Sequence, residues 1–200
     1  MRKGRLFVVS APSGSGKTTL CRMLLDKFNT LSYSVSHTTR AARAGEVDGE
    51  SYFFVDKNKF NEMIDKDDFL EYAFVHDNLY GTSKSMIESM LASGKDILLD
   101  IDPQGAMQLK SKISYGIYIF IVPPSISELK ERLIKRNDTD ALDLRMHNAT
   151  QEMMYVKEYD YLVVNKELER AFNELSSIYV AEGCRTNVVS NINSLCDINH

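Results

Sequence analysis

Short apolar runs recur along the chain, separated by segments whose apolar residues return every third or fourth position. Leu6–Val9, Tyr33–Val35, Ile97–Leu99, Ile117–Val122 and Tyr161–Val164 are such runs, the second of them short. They are apolar at successive rather than alternate positions, which predicts strands buried on both faces, as in a parallel sheet. Helical periodicity predicts helices over Thr18–Phe28, Lys84–Ser93, Gln104–Lys110, Ser127–Lys135, Leu142–Tyr159 and Glu167–Ala181. Strands alternating with helices give an α/β fold, a parallel core sheet covered on both faces, with ligands at the carboxyl ends of the strands.

Two stretches break the alternation. Residues 37–83 are rich in aromatic and charged side chains, alternate over Glu50–Val55 and carry a short helical pattern at Lys57–Ile64. They predict an inserted, partly antiparallel subdomain. Residues 128–150 are strongly charged and predict a helical excursion from the sheet. No repeat, low-complexity tract or Pro-rich linker divides the 200 residues, which suit one domain, and Asn187–His200 carries only weak signals.

Composition narrows the partners. A net charge of −4 offers no overall attraction for nucleic acid, so anions would be met by local basic clusters. No apolar stretch approaches the roughly 20 residues of a membrane span. Met1-Arg2-Lys3 leads through a short apolar run straight into a glycine-rich turn, which reads as a first core strand and not a signal peptide. Cys21, Cys184 and Cys196 show no paired spacing, and His37, His76, His147 and His200 form no metal-ligand pattern with them. Reduced thiols and a cytoplasmic location are expected, without nucleic-acid or membrane partners; a homodimer is left open.

Candidate chemistry begins at Ala11-Pro12-Ser13-Gly14-Ser15-Gly16-Lys17-Thr18-Thr19, between the first strand and the first helix. Strand, glycine-rich turn and helix are the setting of a phosphate-binding loop, although Ala11 stands where the usual pattern has glycine. Gly14 and Gly16 let successive N–H groups surround an anion, and the helix N-terminus adds partial positive charge. Lys17 would reach the outer phosphates of a nucleoside triphosphate, and the Thr18 hydroxyl would ligate its magnesium. The alternative is an ordinary strand-to-helix turn.

Arg40 and Arg43, three apart beside hydroxyls and Gly45, suit a doubly charged phosphate monoester, with Ser36, Tyr52 and Tyr80 as further donors. Solvated surface arginines are the alternative. Asp100 and Asp102 close the run Ile97–Leu99 and point the same way, into a cleft beside the loop. A carboxylate there commonly positions magnesium. Asp102, just before Pro103, also suits a helix cap. Arg132 and Arg136 share a helical face and Arg145 follows, while Glu128, four before Arg132, suits a surface ion pair.

Several linked motifs resemble the guanylate kinase family in order and spacing. They are Ser36-His-Thr-Thr-Arg40-x-x-Arg43-x-Gly45-Glu46, Gly49-Glu50-x-Tyr52-Phe53-Phe54, Phe69-Leu70-Glu71 and Tyr80-Gly81-Thr82-Ser83. Asp100-Ile101-Asp102-x-Gln104-Gly105 and Phe120-Ile121-Val122-Pro123-Pro124-Ser125 continue the match, which runs from about residue 5 to residue 182.

The resemblance implies a three-layer fold like that of the P-loop nucleoside triphosphate hydrolases, with a core at 1–36, 84–127 and 159–186. It implies a GMP-binding subdomain at 37–83 and a lid at 128–158. It also implies magnesium-dependent phosphoryl transfer from ATP to GMP, and to dGMP, giving ADP and GDP. By position, residues 11–19 would bind ATP, and Ser36, Arg40, Arg43, Tyr52 and Tyr80 the GMP phosphate. Glu71, Thr82 and Asp102 would read guanine, Thr18 and Asp100 would serve the metal, and Lys17, Arg132, Arg136 and Arg145 would carry the catalysis. The guanine assignment has its own chemistry, because one guanine edge presents two donors that a carboxylate accepts together, while adenine has no such pair. An exposed acid beside Asp67 and Asp68 is the alternative for Glu71.

The chain departs from the family pattern at Ala42 and Ala44, often proline, at Asn137, usually glycine, and in a shorter stretch between Arg136 and Arg145. Asn165 matches a position near the adenine end of ATP and equally suits a helix N-cap. Two other functions share some of these features. One is a phosphopeptide-binding module built on the same fold, which typically lacks the loop lysine and lid arginines. The other is a small-molecule kinase with a different acceptor.

Overall fold

Every residue of the first strand, Leu6–Ser10, is buried, because it runs through the middle of a sheet with helices on both sides. The computed structural model describes residues 3–75, 77–135 and 142–185. Along the chain come β1 (Leu6–Ser10), α1 (Lys17–Lys27), β2 (Leu31–Tyr33), β3 (His37–Thr38), β4 (Phe53–Phe54), α2 (Lys57–Asp65), β5 (Phe69–Val75) and β6 (Asn78–Ser83). Then follow α3 (Lys84–Ala92), β7 (Asp96–Asp100), α4 (Pro103–Lys112), β8 (Gly116–Val122), α5 (Ile126–Lys135) and α6 (Leu142–Met153). A 3-10 segment at Met154–Glu158, β9 (Tyr161–Val164) and α7 (Leu168–Gly183) complete the described chain.

The central sheet is parallel throughout, in the order β2-β7-β1-β8-β9. Alternate residues of β1 serve opposite cores. Phe7 and Val9 pack with Leu20 and Leu24 of α1 and Leu175 and Tyr179 of α7. Leu6 and Val8 pack with Ile87 and Leu91 of α3 and Ala106 and Leu109 of α4. Three layers result, as the apolar runs predict. A buried polar cluster ties the layers at one end: the Arg5 guanidinium binds the Asp96 carboxylate and donates to the Tyr179 carbonyl at 2.9 Å. Tyr179 Oη donates in turn to Asp96 Oδ2 at 2.9 Å.

Two elements differ from the sequence expectation. β2 covers Leu31–Tyr33 and not Tyr33–Val35, because its partners on β7 are Asp96–Leu98; after one more bond, Ser34 N–H to the Leu98 carbonyl, the chain leaves the sheet. The helix expected over Leu142–Tyr159 ends at Met153 and tightens into 3-10 geometry. There the chain must turn back to β8, where the Asp160 carboxylate accepts from the Tyr118 N–H at 2.8 Å.

The second sheet, in the order β4-β3-β6-β5, lies within residues 37–83 and mixes parallel and antiparallel pairs. Its main hairpin, β5 with β6, turns at Asp77, whose φ of 64° is left-handed. Its register shifts between Phe69 and Glu71, a bulge after which Glu71 stands opposite Thr82. Among the described residues no helix is long and apolar enough to cross a membrane.

Candidate active site

The loop after β1 turns on two left-handed glycines, Gly14 at φ 86° and Gly16 at φ 89°, the latter capping α1. Side chains other than glycine rarely adopt such angles. The Ser15 N–H closes the turn onto the Pro12 carbonyl at 3.1 Å, and the Leu20 N–H meets the Gly16 carbonyl at 3.2 Å. α1 starts without a side-chain cap, so its first N–H groups are free to meet an anion. Space is tight around the loop. A Cβ on Gly14 would lie 3.0 Å from both Leu129 Cδ1 and Leu133 Cδ2 of α5, and one on Gly16 would collide with Asn165 Nδ2.

Lys17 Nζ forms an ion pair with Asp100 Oδ1 and donates to the Ile101 carbonyl at 3.3 Å. Burial alone would lower the Lys17 pKa, but Asp100 outweighs it and holds the ammonium above its ordinary value. The two strand-end carboxylates divide their work. Asp100 faces the loop lysine, while Asp102 caps α4, accepting from the Gln104 N–H at 2.8 Å and the Gly105 N–H at 3.0 Å. Both still line a cavity of about 300 Å³ that also takes in Lys17, Thr18, Ser36 and Tyr52. Capping and facing the cleft therefore coexist at Asp102.

Glu71 and Tyr80 form part of the same wall. Glu71 is not an exposed acid: it is 3% exposed, and its Oε1 accepts from Thr82 Oγ1 at 2.5 Å. Burial pushes its carboxyl up to about 7, opposed by the Thr82 hydrogen bond and reinforced by the charge of Asp102. Thr82 is fully buried and reaches the cavity only through Glu71.

The arginines behave differently from each other. Arg40 is gripped in a fork by Glu46, at 3.0 Å from Nη1 to Oε2 and 2.8 Å from Nη2 to Oε1, which raises the guanidinium pKa further. Its guanidinium carbon lies 5.4 Å from the Tyr52 ring centre, and Tyr52 meets Tyr80 edge-on at 5.9 Å. Arg43 instead is exposed, and its backbone N–H donates to Glu46 Oε2 at 2.7 Å. Glu46 is thus a residue of this cluster to which the sequence reading gave no role. Its presence in the Arg-x-x-Arg-x-Gly-Glu string was the available signal.

A profile of the family described as guanylate kinase matches residues 3–182. The chain belongs to that family. A guanylate kinase from Geobacter sulfurreducens is 50% identical over 187 residues, covering 92% of this chain and 92% of that protein. One from Syntrophomonas wolfei is 47% identical over 194 residues, covering 96% of this chain and 98% of the relative. Among solved structures, the crystal structure of guanylate kinase from Anaplasma phagocytophilum aligns with a TM-score of 0.80 at 32% identity, over all of this chain and 96% of that one. The phosphopeptide-module and other-acceptor readings gain no support from these relatives.

Against that family background the arginine-bearing helices complete the site only in part. Arg132 on α5 binds Glu128 Oε1 at 2.6 Å and also the Asn165 carbonyl at 2.9 Å. Arg145 is half-buried on α6, and Arg136 lies outside the described residues, as does Asn137. Asn165 is no helix cap, since α7 begins after Glu167 without a side-chain bond. It is instead 5% exposed and donates from Nδ2 to the Ser15 carbonyl at 2.8 Å, joining β9 to the glycine-rich loop. Arg132, Asn165, Gly14 and Gly16 line a further cavity of about 360 Å³ on the outer side of that loop.

Proposed function

We propose that this chain transfers the γ-phosphoryl group of ATP to GMP, and to dGMP, giving ADP and GDP in the cytoplasm. The observation that carries the reading is the buried Glu71, held by Thr82, lining one cavity with Lys17 and Asp100. A guanine reader thereby sits across a cleft from a triphosphate cradle. We assign ATP to residues 11–19 and the GMP phosphate to Ser36, Arg40, Arg43, Tyr52 and Tyr80. Guanine falls to Glu71, Thr82 and Asp102. We further assign residues 37–83 to a GMP-binding unit and 128–158 to a lid over the core.

A phosphate oxygen of GMP attacks the γ-phosphorus in line, the bond to the β,γ-bridging oxygen breaks, and ADP carries the electron pair away. No covalent enzyme intermediate is needed, since positioning and electrostatics supply most of the catalysis in phosphoryl transfer. Lys17, Arg132, Arg136 and Arg145 place positive charge on the transferring oxygens. Magnesium is the cofactor that the family implies, and the donor set fits it. The Thr18 hydroxyl and Asp100 carboxylate line one cavity as hard oxygen ligands. Among the described residues no cluster of three or more His, Cys, Asp or Glu is poised to cage a metal. Such a site suits an ion held largely by phosphates and water. Bound there, it neutralises charge on the β- and γ-phosphates.

ADP formation from magnesium ATP, with GMP, dGMP, AMP, CMP and UMP offered separately, tests the reading. Turnover confined to GMP and dGMP is the expected result; turnover with none of the five overturns it.

Glu71 also predicts a pH dependence. Guanine needs two acceptors, whereas a protonated carboxyl offers a donor. With its carboxyl near 7, Glu71 gains a proton as pH falls, so KM for GMP rises about tenfold per unit below that value. A group raised in the folded state stabilises the free protein fully below its unfolded value of 4.5, and this is lost as pH rises through about 7. GMP reverses that by pairing the carboxylate, so its binding releases a proton. The GMP phosphate titrates nearby, and Glu71→Gln separates the two effects. A variant profile identical in shape to the parent's would refute the assignment.

A further inference from the structure

Gly105 is buried in the first turn of α4, yet its φ is not among the left-handed glycines of the chain. The backbone there accepts any residue, and helix-interior glycine is disfavoured relative to alanine. Its reason must be space. An ideal Cβ at this position would lie 2.6 Å from Glu71 Oε2, 3.3 Å from Glu71 Cδ and 3.8 Å from Asp102 Oδ2.

Glu71 has nowhere to retreat. Its other oxygen, Oε1, is held by Thr82 Oγ1, and the residue is 3% exposed. The strand that carries it is pinned to the helix that carries Gly105. Lys112 Nζ donates to the Phe69 carbonyl at 3.3 Å, and the Tyr72 N–H reaches Gln108 Oε1 at 3.4 Å. Neither the carboxylate nor its strand can give the several tenths of an ångström that a methyl group demands.

We infer that Gly105 is a specificity-positioning residue: its bare Cα leaves the room in which the Glu71 carboxylate lies against the first turn of α4, aimed at the donor edge of guanine. The helix end favours an anion at this place, although its first free N–H groups are already taken by Asp102. Gly105 touches neither substrate. It acts through Glu71, and the inference rests on the guanine-reading role given to that residue above.

Gly105→Ala separates the possibilities. KM for GMP rises tenfold or more while KM for ATP stays put, and the preference for GMP over AMP narrows. A merely structural role would shift both KM values together. The same substitution is also made in a Glu71→Ala background and both pairs are melted. With Glu71 present, alanine lowers Tm; with Glu71 truncated, the methyl group has space and helix propensity raises Tm. An unchanged KM for GMP, or equal Tm shifts in the two backgrounds, overturns the inference. The melting cycle reads the steric contact without any substrate. Opposite Tm shifts with no GMP turnover in the parent protein would place the failure in the proposed function instead.

Discussion

Replacing Lys17 with alanine lowers kcat by about 10³-fold and leaves KM for GMP within about threefold of the parent. The Lys17 ammonium is held by Asp100 and the Ile101 carbonyl at the mouth of the glycine-rich loop. It therefore stands beside the loop before any phosphate arrives, and a turn of its side chain from Asp100 toward the phosphates brings the ammonium to the charge that builds on the transferring oxygens. That makes the interaction stronger in the transition state than in the ground state, which is why the loss falls on kcat. Arginine is no substitute, because its wider guanidinium cannot keep the lysine's place between Asp100 and the loop. Steady-state kinetics with both substrates varied decides the matter. A kcat within threefold of the parent would remove Lys17 from the chemistry.

Glu71→Gln has the second large effect, on selectivity. The side chain keeps its shape, and the Thr82 hydroxyl still finds an acceptor, so the fold is undisturbed. One carboxylate oxygen, however, becomes an amide NH2 where the proposed guanine contact needs an acceptor. Leaving such groups unpaired costs on the order of 4 kcal/mol, or about 10³-fold in kcat/KM for GMP. AMP loses far less, so the ratio of the two specificity constants collapses. The variant also gains thermal stability above pH 7, where the parent must hold a buried carboxylate charge when free of ligand. A ratio that stays within threefold of the parent would return guanine recognition to other residues.

Much of this architecture was legible because burial on two faces leaves a plain trace. Leu6–Val9, Ile97–Leu99 and Ile117–Val122 are apolar at successive positions, and all lie inside the parallel sheet. The hairpin of β5 and β6 was not legible as strands. Its residues run FLEYAFV and NLYGTS, half exposed and interrupted by a bulge, so no period of two survives. Side chains that act at a distance in sequence were hardest to read. Asn165 suits an ATP-side position and a helix cap equally from its neighbours, yet its amide reaches back 150 positions to Ser15. The role of Glu46 depends on where the Arg40 fork ends up, and that of Gly105 on what Glu71 does above it. Residue types announced the phosphate loop and the resemblance announced the family; only the folded chain discloses which carboxylate faces which arginine.

The bulge between Phe69 and Glu71 makes the proposed guanine contact a matter of counting. Phe69 pairs with Ser83, so in an unbroken ladder Glu71 would oppose Gly81, which has no hydroxyl to offer. The one extra residue advances the frame, so that an acid and a threonine meet on the same side of the hairpin. Straightening the ladder with every residue kept would leave every chemical group of the proposed guanine reader in the chain. It would nonetheless dissolve the pair, because their meeting is written in the spacing of the strand as much as in its letters.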